Sequence, residues 1–147
     1  MATDHGPPPL LRDLLKRVSR LFYTTLVIVP PNVRHQVGVA YLLARAADTI
    51  ADTDLIERPR RLEILNRFQA QCANESVAWN ELRCIQQAVG PLQTDSAERM
   101  LLERLDEVFR LFLECSPEDR RLIRKLMVTI TRGMEIDLRV FSGHNTS

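Results

Sequence analysis

Residues 40–54 read AYLLARAADTIADTD, and this stretch limits the fold more than any other. Successive residues of an α-helix turn by about 100°, so Arg45, Asp48 and Asp52 all fall within roughly 60° of Tyr41. Every charge between residues 37 and 52 therefore lies on one narrow line. Val39, Leu43, Ala46 and Ile50 point the opposite way, and Ala40, Leu42, Ala47 and Ala51 fill the flanks. A surface helix carries a broad polar face, and this one does not. It must be surrounded by other helices, with its single polar line turned to an internal cavity.

The rest of the chain supplies helices to surround it. The segment LLRDLLKRVSRLFYTTLVI, residues 10–28, places Leu11, Leu14, Leu15, Val18 and Phe22 at helical period, and Pro30-Pro31 closes it. A second helix is predicted from residue 32 to residue 57, stopped by Pro59, with shorter helices over 59–73 and 75–89 and a turn at Gly90-Pro91. Thr94, Asp95 or Ser96 caps a helix predicted to reach Glu114. Ser116-Pro117-Glu118-Asp119 then joins an N-cap serine to a first-position proline and two acids, opening a last helix that reaches Phe141. No alternating strand pattern and no internal repeat occur, and there are only five glycines. The fold class is all-α: a head over residues 1–9 expected to be disordered, one domain over 10–142, and a tail over 143–147.

Bulk properties exclude more than they assign. The 147 residues allow one domain with a real core. Twenty basic residues against nineteen acidic ones give no electrostatic reason to expect nucleic acid. Cys72, Cys84 and Cys115 are odd in number and widely spaced, neither a disulfide framework nor a zinc site, so a reducing compartment is expected and the cysteines read as small buried hydrophobes. No apolar run is long enough to span a bilayer, and MATDHGPPPLL lacks the pattern of a signal peptide. The expected location is cytoplasmic, with peripheral contact at a membrane left open. Trp79 reads as core and His35 as a surface residue. The basic clusters ERPRR and DRRLIRK read as solvated faces.

Asp48 and Asp52 are the costly part of the buried helix. Like charges four residues apart repel even in water, and more so when desolvated. One solution is structural: an Arg45–Asp48 ion pair, with Asp52 in solvent at the helix end. The other is a ligand. Mg²⁺ takes one or two carboxylates and completes its shell with water and phosphate oxygens. Arg45 then offers those oxygens a fork of donors. On spacing alone both solutions stand.

The residues also resemble a known family. SRLFYTTLVIVPPNVR (residues 19–34) followed by AYLLARAADTIADTD is similar to the N-terminal half of the squalene/phytoene synthases. That family shows a Ser-Arg/Lys-x-Phe element, a proline-containing turn and a Tyr-x-x-x-Arg-x-x-Asp-x-x-x-Asp helix. Here these are Ser19, Arg20 and Phe22, then Tyr41, Arg45, Asp48 and Asp52. TRGMEIDL (residues 131–138) resembles a Gly-Met segment farther along. The resemblance implies an isoprenoid-synthase-type helical bundle that condenses two prenyl diphosphates head to head. By the same resemblance, Asp48 and Asp52 bind Mg²⁺, and Arg45 stabilises the departing pyrophosphate. Ser19, Arg20 and Tyr41 hold diphosphate groups, and Phe22 lines the pocket. YLLARAADTIAD is closer to the squalene branch, which makes farnesyl diphosphate the preferred substrate over geranylgeranyl diphosphate. In that branch NADPH is the reductant, although no nicotinamide-binding pattern is visible.

The family's chains are longer and carry a second aspartate-rich motif, for which this sequence shows no replacement. Glu103 and Glu107 lie opposite the Leu101, Leu105, Val108 and Phe112 stripe, on a solvated face. Glu135 and Asp137 are too close in sequence to share a helix face. The expectation is an N-terminal portion holding half a cavity. The alternatives are a non-catalytic helical chain that pairs with a second chain supplying the other half, which predicts exposed apolar surface on the last helix, and a bundle whose acidic line is merely an ion pair.

Overall fold

A computed structural model describes residues 9–18 and 30–144, and among them every regular element is helical. The order is α1 (Pro9–Val18), α2 (Pro31–Ala51), α3 (Arg58–Ala73), α4 (Trp79–Val89), a 3₁₀ turn (Gly90–Leu92), α5 (Ser96–Glu103), α6 (Leu105–Leu113) and α7 (Pro117–His144). The all-α class is observed.

Helix α2 sits at the centre, in contact with α1, α3, α5, α6 and α7. Val39, Leu42, Leu43, Ala46, Ala47 and Ile50 are completely buried, as an apolar surface this broad requires. Gly38 marks the crossing with α1: a Cβ there would lie 3.1 Å from side-chain carbons of Leu11 and Leu15. On the far side Phe68, Phe109 and Phe112 form an edge-to-face run, with ring centroids 5.9 and 6.3 Å apart. Helix α7 lies along α3 and α2 and closes the bundle on that side.

Four helix boundaries differ from the sequence reading, and side chains from elsewhere explain three of them. Helix α2 stops at Ala51 instead of residue 57. The Arg61 guanidinium donates to the Ala51 carbonyl (2.8 Å) and to the Ile56 carbonyl (2.8 Å). Thr53 Oγ1 bonds back to the Thr49 carbonyl at 2.7 Å. Together they satisfy groups that a continuing helix would have satisfied itself. Helix α4 starts at Trp79, not residue 75, because Gln71 Oε1 accepts the Ala78 N–H at 2.8 Å and fixes the preceding turn. The helix predicted to run unbroken to Glu114 is two. The chain turns at Arg104, with φ −109° and ψ 20°, and Gln86 Nε2 reaches the Leu102 and Glu103 carbonyls at 3.1 and 3.0 Å. At the far end α7 continues to His144, past residue 141.

The expected caps are present: Asp95 accepts the Glu98 N–H (2.9 Å), and Ser116 Oγ accepts that of Asp119 (3.2 Å). Three side chains depart from expectation. Trp79 is 37% exposed under the Arg110 guanidinium, 5.3 Å from the ring centre. Cys84 is exposed, whereas Cys72 and Cys115 are buried. His35 is half-buried, its Nε2 3.2 Å from the Leu111 carbonyl, and ties α2 to α6. In the two basic clusters Arg61 and Arg124 are largely buried, with side chains 12% and 15% exposed. No described helix is long and apolar enough to cross a membrane.

Candidate functional site

Asp48 and Asp52 face a cleft of about 250 Å³ between the end of α2, the start of α3 and the middle of α7. Arg58 and Arg61 line it from α3, and Met134, Asp137 and Leu138 from α7. The cleft is half-open: Asp48 keeps 46% of its side chain exposed, and Asp52 is exposed at the C-cap of α2. The polar line of α2 thus meets a surface cleft, not a sealed interior cavity. The two acids do share it, and the early end of the helix puts Asp52 at its mouth.

Arg45 lies one turn back along the same line. Its Nη2 donates to Glu98 of α5 at 2.7 Å, and its Nη1 is 3.5 Å from Asp48. The ion pair anticipated from spacing exists, but the shorter contact is to Glu98, a residue the sequence reading did not single out. The Arg45 Nε is buried without a hydrogen-bond partner. Tyr41, a turn earlier, is half-buried against the core. Ser19, Arg20 and Phe22 lie outside the described residues.

The electrostatics single out Asp52. Partial burial pushes its carboxyl above its ordinary 3.8, and the negative charges of Asp48, Asp54 and Glu98 push it further. Arg61 opposes them. A carboxyl held in that condition gains from a cation. Among the described residues no three or more His, Cys, Asp or Glu side chains converge on a metal-sized point. Two carboxylates with the remaining positions left to water and phosphate oxygens match the habits of Mg²⁺, which keeps several waters and rarely uses an all-protein cage. The residues present fit that ion.

In the sequence Asp137 is masked by Glu135, two residues away, with which it does not share a helix face. The usable signal was its place in TRGMEIDL between Met134 and Leu138, both of which turn to the same cleft. Arg58 and Arg61 carried no signal, since a basic cluster next to a proline reads as surface.

Comparison with known proteins adds to this geometry. The family model for squalene/phytoene synthase matches residues 15–146. A squalene synthase of Schizosaccharomyces pombe is 29% identical over 134 residues, 89% of this chain and 27% of that protein. The Botryococcus squalene synthase of Botryococcus braunii is 30% identical over 121 residues, 82% of this chain and 23% of that protein. A bifunctional lycopene cyclase/phytoene synthase of Blakeslea trispora is 34% identical over 59 residues, 38% of this chain and 10% of that protein. The chain spans about a quarter of the length of the two squalene synthases. No solved structure matches. The family model covers nearly the whole chain and includes the helix that carries both acids: the chain belongs to the squalene/phytoene synthase family.

Proposed function

We propose that this chain provides the first diphosphate station of a head-to-head prenyl condensation, with Asp48 and Asp52 as the Mg²⁺ ligands. The observation that carries this reading is the pair of acids at the mouth of one cleft, one of them held above its ordinary pKa largely by burial and by the other's charge. In that role the two carboxylates hold the metal through oxygen. Arg58 lines the same cleft and faces the phosphate oxygens. Arg45 joins it by exchanging Glu98 for the incoming anion, and Tyr41, on the same line of α2, orients the diphosphate. Ser19 and Arg20 hold diphosphate groups, and Phe22 covers the prenyl chain. Bound Mg²⁺ supplies Lewis-acid stabilisation of the charge that develops on the leaving pyrophosphate.

Farnesyl diphosphate is the proposed substrate, on the resemblance of residues 41–52 to the squalene branch and on the squalene synthases among the relatives. NADPH as reductant belongs to that branch and is proposed for the whole enzyme only. A cytoplasmic location with peripheral membrane contact accords with a lipid-like product.

Thermal unfolding with Mg²⁺ and a non-hydrolysable pyrophosphate analogue tests the station. At about a hundredfold excess over Kd, binding stabilises by about 2.7 kcal/mol, or roughly 5–10 °C for a domain of this size. The wild type should show that shift, and Asp48→Ala and Asp52→Ala should lose most of it. Equal shifts in all three proteins, or none in the wild type, overturn the assignment.

A further inference from the structure

Helix α7 has three sides. Ile123, Met127, Thr131 and Leu138 are buried against the bundle, and Leu122, Leu126, Ile136 and Val140 look outward. The third side, next to the last residue of α3, is cationic. A shallow cleft of about 410 Å³ opens there, lined by Ala73, Arg124, Lys125, Val128, Thr129 and Arg132. With 3.6 residues to a turn, Lys125 lies about 180° around the helix from Met134. Met134 faces the cleft that holds Asp48 and Asp52, so the two clefts are separate.

Arg124 gives the cationic cleft its fixed point. Its guanidinium lies over the Phe112 ring, 5.6 Å from the centre, and its side chain is 15% exposed. Its Nε and Nη2 are buried without hydrogen-bond partners. The carboxylate beside it, Glu75, stands 4.0 Å from Nη1 and is itself 90% exposed. A cation so far withdrawn from water is poorly compensated at that distance, because a guanidinium is most stable when oxygens fill its fork of donors. Lys125 and Arg132 are exposed and form no ion pair among the described residues. The C-terminal end of α3 contributes roughly half a negative charge, and Glu75 contributes a whole one. Three cations outweigh both, and the cleft stays positive.

Its shape states the class of anion. Lys125 and Arg132 are seven residues apart, about 10 Å along the helix axis. A single phosphate would draw both long side chains toward one point, ordering residues with high rotamer entropy. Two or more linked phosphates reach both with less distortion. Thr129 Oγ1 donates to the Lys125 carbonyl at 3.0 Å, so its proton is committed and the cations supply the donors. The apolar part of the lining is Val128 and Ala73, with no aromatic surface on which a base could stack. A nucleotide gains nothing there through its base.

We propose that the cleft between α7 and the end of α3 is a second anion site, independent of metal, that takes a small molecule with two or more linked phosphates through Arg124, Lys125 and Arg132. The probe is inorganic pyrophosphate in metal-depleted buffer, which leaves the Asp48 and Asp52 station without its ion. Calorimetric titration of the full chain should show binding at least about tenfold tighter than that of inorganic phosphate, the return on one further charged hydrogen bond. Lys125→Gln/Arg132→Gln should weaken it at least about tenfold, and Lys125→Arg/Arg132→Lys should retain it, both with unchanged helical circular dichroism. Arg45→Gln/Arg58→Gln should leave it within about twofold, as expected for a distant site. No binding without metal, equal affinity for phosphate, survival in Lys125→Gln/Arg132→Gln, or loss in Arg45→Gln/Arg58→Gln each overturns the proposal. Flotation with phosphatidylserine vesicles that Lys125→Gln/Arg132→Gln abolishes would give the cleft to a lipid headgroup and overturn it as well. Asp48→Ala and Asp52→Ala should leave metal-free binding intact, so this site and the Mg²⁺ station fail separately.

Discussion

Asp52 concentrates the tension in the candidate site. Its folded-state pKa lies above the ordinary 3.8, so the folded chain binds that proton more tightly than the unfolded one. The resulting stabilisation is complete below about pH 3.8 and disappears as the pH rises through the raised value. At neutral pH the metal-free protein therefore carries an ionised Asp52 against its own preference. Asp52→Asn is expected to be more stable than wild type at pH 7, by about 0.2–0.5 kcal/mol, the scale of a like-charge pair one turn apart. The gap should close near pH 3, where both side chains are neutral. Urea unfolding at the two pH values checks this, and Mg²⁺ with the pyrophosphate analogue at pH 7 should reverse the order. At this scale the sequence was legible where chemistry and spacing coincide. Asp48 and Asp52 were found because two like charges one turn apart are expensive on an otherwise apolar helix. Glu98 and Asp137 were not, because their relation to the site depends on how α5 and α7 pack.

Elements were legible in kind, less so in extent. Apolar period and proline punctuation located the helices, but several boundaries are fixed by single polar side chains far along the chain. Arg61 ends α2 from ten residues beyond Ala51, and Gln86 of α4 stabilises the break between α5 and α6. No local pattern announces such a contact, since neither residue type differs from its solvated counterparts. Arg61 is expected to matter far more than a surface arginine. Arg61→Met should cost about 2–4 kcal/mol, because two carbonyls lose their donors inside a largely buried site. Arg61→Lys should recover only part of this, since one ammonium lacks the planar fork that spans both oxygens. Denaturant midpoints of the two variants give the comparison. A loss under about 0.5 kcal/mol for Arg61→Met would mean that the turn after Ala51 is held by other contacts.

For the molecule as a whole, the central position of α2 is legible in the sequence, because a helix apolar on nearly every side has nowhere else to go. The cysteines report how firmly the surrounding helices hold it. Cys84 is exposed, while burial pushes the Cys72 thiol far up and the Cys115 thiol up to about 11. Native protein at neutral pH should therefore react quickly at one thiol with an aromatic disulfide reagent. The other two should follow at the rate of global opening, with all three available at once in guanidinium. A second fast thiol in native protein would locate a weak seam beside α3 or at the α6–α7 turn.

The 2.7 Å contact between Arg45 and Glu98 has a consequence for selectivity. Both terminal nitrogens of the guanidinium already face carboxylates, so a newcomer there gains only the difference between itself and Glu98. Chloride, with one charge and no fork of oxygens, offers less than Glu98 provides. Under the proposed function, a magnesium-laden pyrophosphate held by the acids one turn away would bring several oxygens at once and win the exchange. Under that same proposal, helix α5 would set a threshold against singly charged anions without a moving part.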